Sequence, residues 1–478
     1  MIVGLDIGTS SVKGLALSED GVIVARAESA YPLSTPRPGW AEQDPEDWWR
    51  AAQEVLDTLP PATGIGLSGQ MHGLVALDAG DRLLRPAILW NDQRTAAECA
   101  VIEERIGRDN LIALTGNRAL TGFTAPKLLW MQRREPELHA QIAKVMLPKD
   151  YVRLRLTGEH AIDVADASGT LWLDVGGRDW SAPVLDALEV DAAWLPRLLE
   201  SSQVSGETAA GTPVAAGAGD QAAGALGVGV VRPGDPVSVV LGTSGVVFAA
   251  QAGFAPDPDA RVHAFCHAVP DTWHTMGVML SAAGALAWLR NATAPGVEFT
   301  DLVREASRWE PGAEGLTFLP YLTGERTPHA DPDIRGAFAG LSLRHDRGAL
   351  VRAVLEGVAF GLRDSLDLVA ADATGGRVSG GGARSDDWLR IVASVLELPL
   401  ERTATDEGAA FGAALLGGVA AAAWPNVEAA TAATVVPAGR TDPVDAWVEP
   451  YRELRERFRA LYPALHAWRL TRGVGDDG

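Results

Sequence analysis

Cysteine is scarce in this chain, with Cys99 and Cys266 the only two among 478 residues. Two thiols cannot build a disulfide framework or a cysteine-rich metal site, and reduced thiols suit a cytoplasmic protein. Positive charge is also in deficit. Lys and Arg number 41 against 62 Asp and Glu, a formal net charge of −21, and the sequence pI is near 4.8. Such a chain repels nucleic acid and anionic membranes, so neither is expected as a partner. Any phosphate site must then be built locally, from backbone donors, metal and a few basic residues. Sustained apolar runs are missing too. The uncharged windows 236–256 and 408–427 carry Gly-Thr-Ser, Gln and Pro, or mostly Ala and Gly. Neither has the Leu, Ile and Val content of a membrane span, and both are expected as buried elements with close backbone packing. No basic segment followed by an apolar core opens the chain, so no secretory signal is expected. The G-x-x-x-x-G-K-[ST] string is absent as well, which excludes a P-loop kinase.

The stretch Val3 to Lys13 is where the chain declares itself. It reads as an apolar strand, a turn of Gly8, Thr9, Ser10 and Ser11, and a second strand over Gly14-Leu15-Ala16-Leu17. Glycine lets a backbone approach a ligand and adopt positive φ, and neighbouring N–H groups and hydroxyls can line an anion-binding concavity. Asp6 would repel a phosphate unless a divalent cation lies between them. An ordinary hairpin with a polar turn remains equally open on this stretch alone. A second copy changes that balance: Val237 to Leu241, Gly242-Thr243-Ser244, then Gly245 to Phe248 repeats strand, turn and strand. The length suits two domains of roughly 200 residues or more. The expected division is 1–212 and 213–478, each half offering one hairpin to a shared cleft.

Other stretches add candidates. Asp44 and Pro45 read as the cap and first residue of a helix to about Leu59. Residues 63–78 hold a G-x-G-x-x-G string without the strand and helix that a dinucleotide fingerprint needs. They read instead as two strands around a turn bearing Met71 and His72. Asp92 and Arg94 could bond hydroxyls or form an ion pair. Residues 95–200 read as mostly helical, with Lys149-Asp150-Tyr151 and Asp163 to Thr170 as solvated loops on their own evidence. Pro213 to Gly224 is a strand, a glycine turn and a small-residue helix. Its G-x-G-x-x-A pattern raises an oxidoreductase as a rival, but Asp220 within the turn would face a pyrophosphate. Asp346 caps a helix ending at Gly375-Gly376. Gly380-Gly381-Gly382 lies between a strand and a helix starting near Ser385, and a terminal helix from about Tyr451 leads to an acidic Gly-Asp-Asp-Gly tail.

Taken in order, these motifs resemble the FGGY carbohydrate kinases, from Asp6 to about Trp424. The resemblance implies an α/β fold of two ribonuclease-H-like domains of the actin/Hsp70 type flanking a cleft. It implies that Asp220 is the catalytic base, and that the helix dipole keeps its carboxylate ionised. It implies ATP and Mg²⁺, with Asp6 and Asp220 at the metal. Nucleotide contacts are implied for Thr9, Ser10, Lys13, Gly242, Thr243, Ser244, Trp288, Gly381, Gly382 and Ser385. Gln70-Met71-His72-Gly73 resembles the substrate motif of members acting on D-xylulose, with Met71, His72, Asp220, Gln221 and Arg118 toward the sugar. Arg118 stands where many bacterial members have proline. Another ketose or polyol such as ribulose is the alternative acceptor, and a non-catalytic nucleotide-dependent binding protein is the third. The resemblance allows a homodimer.

Overall fold

The computed structural model describes residues 1–405 and 407–471, so the acidic tail lies outside the described residues. The described chain forms two compact α/β units. The first holds Met1–Asp235, Ala250–His274 and 407–435, and the second holds 236–249, 275–405 and 436–471. Among the described residues no helix is long and apolar enough to cross a membrane.

In the first unit, β1 (Ile2–Ile7), β2 (Ser11–Leu17) and β3 (Ile23–Ala30) form an antiparallel meander. β4 (Gly64–Gly69) lies parallel to β1, Asp6 opposite Ser68. Beyond it come β5 (Val204–Glu207) and β6 (Pro213–Ala215), while β7 (Ala218–Gly219) also runs parallel to β4, Ala218 opposite Ser68. The first unit therefore extends past residue 212. β1 and β4 are apolar throughout except at Asp6 and Ser68, as expected of strands covered on both faces. One cover is α1 (Pro45–Thr58), opened by Glu46 N donating to Asp44 Oδ1 at 3.0 Å and burying Trp48, Ala51, Ala52 and Val55 on one stripe. The other is α2 (Gly408–Ala420), the Ala/Gly window read as a closely packed element. A Cβ on Gly66 would lie 1.7 Å from Ala413 O, and one on Gly4 would lie 2.1 Å from Ala410 O. Only glycine lets the helix backbone rest on the strands here.

The second unit repeats the plan. β8 (Val237–Leu241) and β9 (Gly245–Gln251) form a hairpin, and β10 (Gly376–Ser379) runs parallel to β8 as β4 does to β1. β11 (Leu400–Thr403) and β12 (Pro437–Thr441) continue that sheet. Its helices include α3 (Arg347–Val369), capped by Asp346 as expected but ending ahead of Gly375. A terminal helix, Asp445–Thr471, begins before Tyr451 and runs through Pro450.

The segment 95–200 is mostly helical, as expected. Its helices alternate with strands of two or three residues, such as Ala161–Asp163 and Leu173–Asp174. So short a strand carries no legible period.

Candidate active site

The β1–β2 turn is held from behind through its carbonyls. Tyr31 Oη donates to Gly8 O at 2.5 Å, Gln70 Nε2 to the same oxygen at 3.2 Å, and Gln43 Nε2 to Thr9 O at 2.6 Å. Trp90 Nε1 donates to Thr9 Oγ1 at 3.0 Å. A trans peptide sets its N–H opposite its C=O, so anchoring these two carbonyls aims the Thr9 and Ser10 amides away from the anchors. Two expectations change. Gly8 is not in the left-handed region; a Cβ there would instead crowd Ser11 O at 3.2 Å. Ser11, expected toward the ligand, donates to Glu28 Oε1 at 2.6 Å within the sheet, and the exposed Ser10 is left at the tip.

Parallel pairing brings two carboxylates together. Asp6 and Ala218 both face Ser68, and Asp220 follows β7 as the first residue of a helix, Asp220–Gly227. Asp6 accepts from Ser68 Oγ at 3.1 Å and pairs in register with the exposed Lys13 of β2. Burial raises the Asp6 carboxyl above its ordinary range. Burial, and then the charge of Asp6, push Asp220 up to about 7, while Gln221 Nε2 at 3.3 Å pulls the other way. The expected dominance of the helix dipole is therefore reversed. A helix of eight residues offers about half a charge at its end, less than desolvation and a neighbouring carboxylate impose here.

Met71 and His72 lie in the same unit. A Cβ on Gly219, the residue before Asp220, would fall 2.7 Å from Met71 Cγ. The His72 ring meets Gly169 O through Nδ1 at 2.8 Å and stands edge-on to Phe123, with ring centroids 4.8 Å apart. That carbonyl can only accept, so Nδ1 carries a proton. Arg118 lies beside Glu103, with Nε 3.4 Å from Oε1. Asp92 and Arg94 resolve as an ion pair at 2.7 Å, with Asp92 also accepting from Ala41 N and Arg94 pairing with Glu42. The segments read as solvated loops form a buried charge cluster. Lys149 Nζ lies 2.6 Å from Asp150 and Asp163 and 3.1 Å from Asp166, whose burial raises its carboxyl.

In the second unit the Gly242–Ser244 turn is anchored by the same device. Ala283 N donates to Gly242 O at 2.8 Å, and Ala282 N and Gly284 N donate to Thr243 O at 2.8 and 3.1 Å. These donors belong to the start of the helix Ala283–Thr293, which carries Trp288, 43% exposed and stacked on Phe318. In the glycine run, Gly380 has φ +89° and its Cβ would meet Leu241 O at 2.8 Å. Gly381 faces open space, and a Cβ on Gly382 would strike Trp388 at 2.8 Å. Ser385 accepts from Trp388 N at 3.2 Å and so caps the helix Asp386–Leu396.

Gln43, Trp90, Tyr31 and Ser68 are parts of the site that the sequence did not single out as such.

Two α/β units of ribonuclease-H-like plan, each with an anchored Gly-Thr-Ser hairpin, define the class shared with actin and Hsp70 ATPase domains. Within that class, the N-terminal domain of the FGGY family of carbohydrate kinases matches residues 1–227 and its C-terminal domain matches 237–421. The chain belongs to the FGGY family of carbohydrate kinases, enzymes that take ATP as phosphoryl donor. It is 45% identical to the xylulose kinase of Escherichia coli K12, covering 97% of this chain and 99% of that one. Among solved structures, a xyloylose kinase from Brucella ovis is similar at 45% identity and TM-score 0.91, over 98% of this chain and 99% of that one. The xylulose kinase of Rhodospirillum rubrum is similar at 33% identity and TM-score 0.90, over the same shares.

Proposed function

We propose that this protein transfers the γ-phosphoryl group of ATP to a hydroxyl of D-xylulose, giving D-xylulose 5-phosphate and ADP. The observation that carries the reading is the packing of Gly219 on Met71, which sets the base candidate Asp220 beside the Met71-His72 pair. Relatives 45% identical over nearly the whole chain carry the name xylulose kinase.

Asp220 accepts the proton of the attacking hydroxyl as the new P–O bond forms and the bond to the β-phosphate oxygen breaks. Phosphoryl transfer depends chiefly on alignment and charge neutralisation. The Thr9 and Ser10 amides, with Lys13, offer phosphate donors from the first unit. Gly242, Thr243 and Ser244 offer further donors, and Trp288, Gly381, Gly382 and the Ser385 turn receive the nucleoside. Met71 gives apolar contact to the carbon skeleton, His72 and Gln221 bond its hydroxyls, and Arg118 offers a further donor to the sugar. Asp6 and Asp220 suit Mg²⁺: two partly buried like charges at adjoining strand ends gain from a shared cation. Among the described residues no group of three or more His, Cys, Asp or Glu side chains forms a metal site, so water and phosphate must complete the shell. Mg²⁺ supplies charge neutralisation at the phosphate oxygens.

The test is ADP release from MgATP with D-xylulose, L-xylulose, D-ribulose, L-ribulose, glycerol, gluconate or no sugar. D-Xylulose is expected to give the highest kcat/KM. Asp220→Ala is expected to fold and bind sugar, with kcat lowered by about 10²- to 10⁴-fold, as loss of a general base entails. Preference for another acceptor retracts the sugar assignment, and near-normal kcat in the variant removes Asp220 from the mechanism.

A further inference from the structure

His72 has an unusual backbone. Its φ is +71°, in the left-handed region that a residue with a Cβ rarely occupies. Its carbonyl is gripped twice, by Thr124 Oγ1 at 3.1 Å and Lys127 Nζ at 2.9 Å. The same ammonium donates to Phe123 O at 3.0 Å and to Gly122 O. A lysine has three N–H donors, and three backbone carbonyls take them. Lys127 is fully buried in the first turn of the helix Thr124–Arg134, where the helix dipole disfavours a cation. Burial accordingly pulls it down to about 7, with Asp92 as the main opposing charge and Cys99 and Arg94 also facing it. No surface ion pair or ordinary helix packing calls for an ammonium here. What its position does account for is the pinned carbonyl of His72 and the adjoining Phe123, whose ring abuts the imidazole. On the far side, a Cβ on Gly169 would lie 2.4 Å from His72 Nδ1, so the ring is bounded there by glycine.

Resting on the sugar contact assigned above to His72, we propose that Lys127 is a positioning residue for acceptor recognition. Its ammonium holds the left-handed backbone of His72, and so fixes the imidazole, between Phe123 and Gly169, in the pose that meets the acceptor hydroxyl. Lys127 itself touches no substrate. Acceptor affinity therefore depends on a lysine that is hidden from the acceptor.

Steady-state kinetics of Lys127→Met, with both substrates varied, tests this. The KM for D-xylulose is expected to rise about tenfold or more, with the KM for MgATP within about twofold of the parent and kcat changed less than the sugar KM. In a His72→Ala background the same substitution is expected to leave the sugar KM unchanged, because the ring it positions is gone. Gly169→Ala, which displaces the ring without touching Lys127, is expected to reproduce the selective rise. It keeps the test decisive if Lys127→Met does not fold. A sugar KM unaltered in Lys127→Met and Gly169→Ala, equal increases for both substrates, or a full Lys127 effect without His72 overturns the proposal. Failure of the function assignment shows separately, in the parent enzyme: if another acceptor is preferred, the same three outcomes are read with that acceptor. If no sugar supports turnover, both readings fall.

Discussion

Asp220 shows how far the fold can alter the chemistry of a candidate base. A solvated aspartate is ionised at neutral pH, but desolvation and Asp6 bring this one to about 7. As a proton acceptor it must be ionised, so kcat/KM for the acceptor is expected to rise about tenfold per pH unit below that value and level off above it. Magnesium bound at the same carboxylates would move the break to lower pH. The same shift bears on stability. The folded carboxyl binds its proton more tightly than the unfolded one, whose ordinary value is 3.8. Stability is thus fully present below the unfolded value and is lost as pH rises through about 7. Asp220→Asn should therefore melt higher than the parent at pH 8 without Mg²⁺ or nucleotide, and equal it near pH 4. The full shift would amount to about 4 kcal/mol, and partial exposure reduces that to about 2 kcal/mol. Equal melting curves at pH 8 would mean that Asp220 is not destabilised when charged. Aspartate in a Gly-x-Gly-Asp-Gln turn was legible from sequence as a base candidate. Its titration was not, because that depends on burial and then on Asp6, more than two hundred residues away.

Among the elements, the Ala/Gly helix Gly408–Ala420 shows what a low-information sequence can encode. Its want of charge excluded an exposed helix, and its want of large side chains pointed to close packing. The partners were hidden, since the glycines it rests on, Gly4, Gly64 and Gly66, lie at the other end of the chain. Gly66→Ala puts a methyl 1.7 Å from a helix carbonyl, with no side chain to rotate away. A loss of about 3 kcal/mol or more in urea unfolding is expected. Gly381→Ala meets nothing within 4 Å and should change stability by less than about 0.5 kcal/mol, while raising the KM for ATP if the nucleoside lies there. A stable Gly66→Ala protein would contradict the packing, and an unchanged KM in Gly381→Ala would release Gly381 from the nucleotide site. The two Gly-Thr-Ser hairpins were legible as repeats. Their anchoring by Gln43, Tyr31 and Trp90 in one case and by a helix start in the other was not, because those donors share no sequence pattern.

For the whole molecule, a net charge of −21 makes phosphate binding a local achievement. MgATP at a hundred times its dissociation constant should raise the unfolding free energy by about 2.7 kcal/mol. Asp6→Asn should need several-fold more Mg²⁺ for half-maximal activity, and an unchanged requirement would remove Asp6 from the metal. By itself, the sequence determined the α/β class, the duplication, the kinase family and the residue types of the site. The duplication follows from strand pattern and turn chemistry, and the fold class, family and candidate site residues from the resemblance that the ordered motifs carry, all short-range properties of the chain. The tertiary structure decided which groups meet. Parallel strands carried Asp6 and Asp220 to one end of a sheet, and a glycine at 219 set the latter against Met71. A buried Lys127 came to hold His72, and Arg118 to lie beside Glu103. Burial and long-range proximity exist only once the chain has closed on itself, and they fix protonation, side-chain pose and metal affinity.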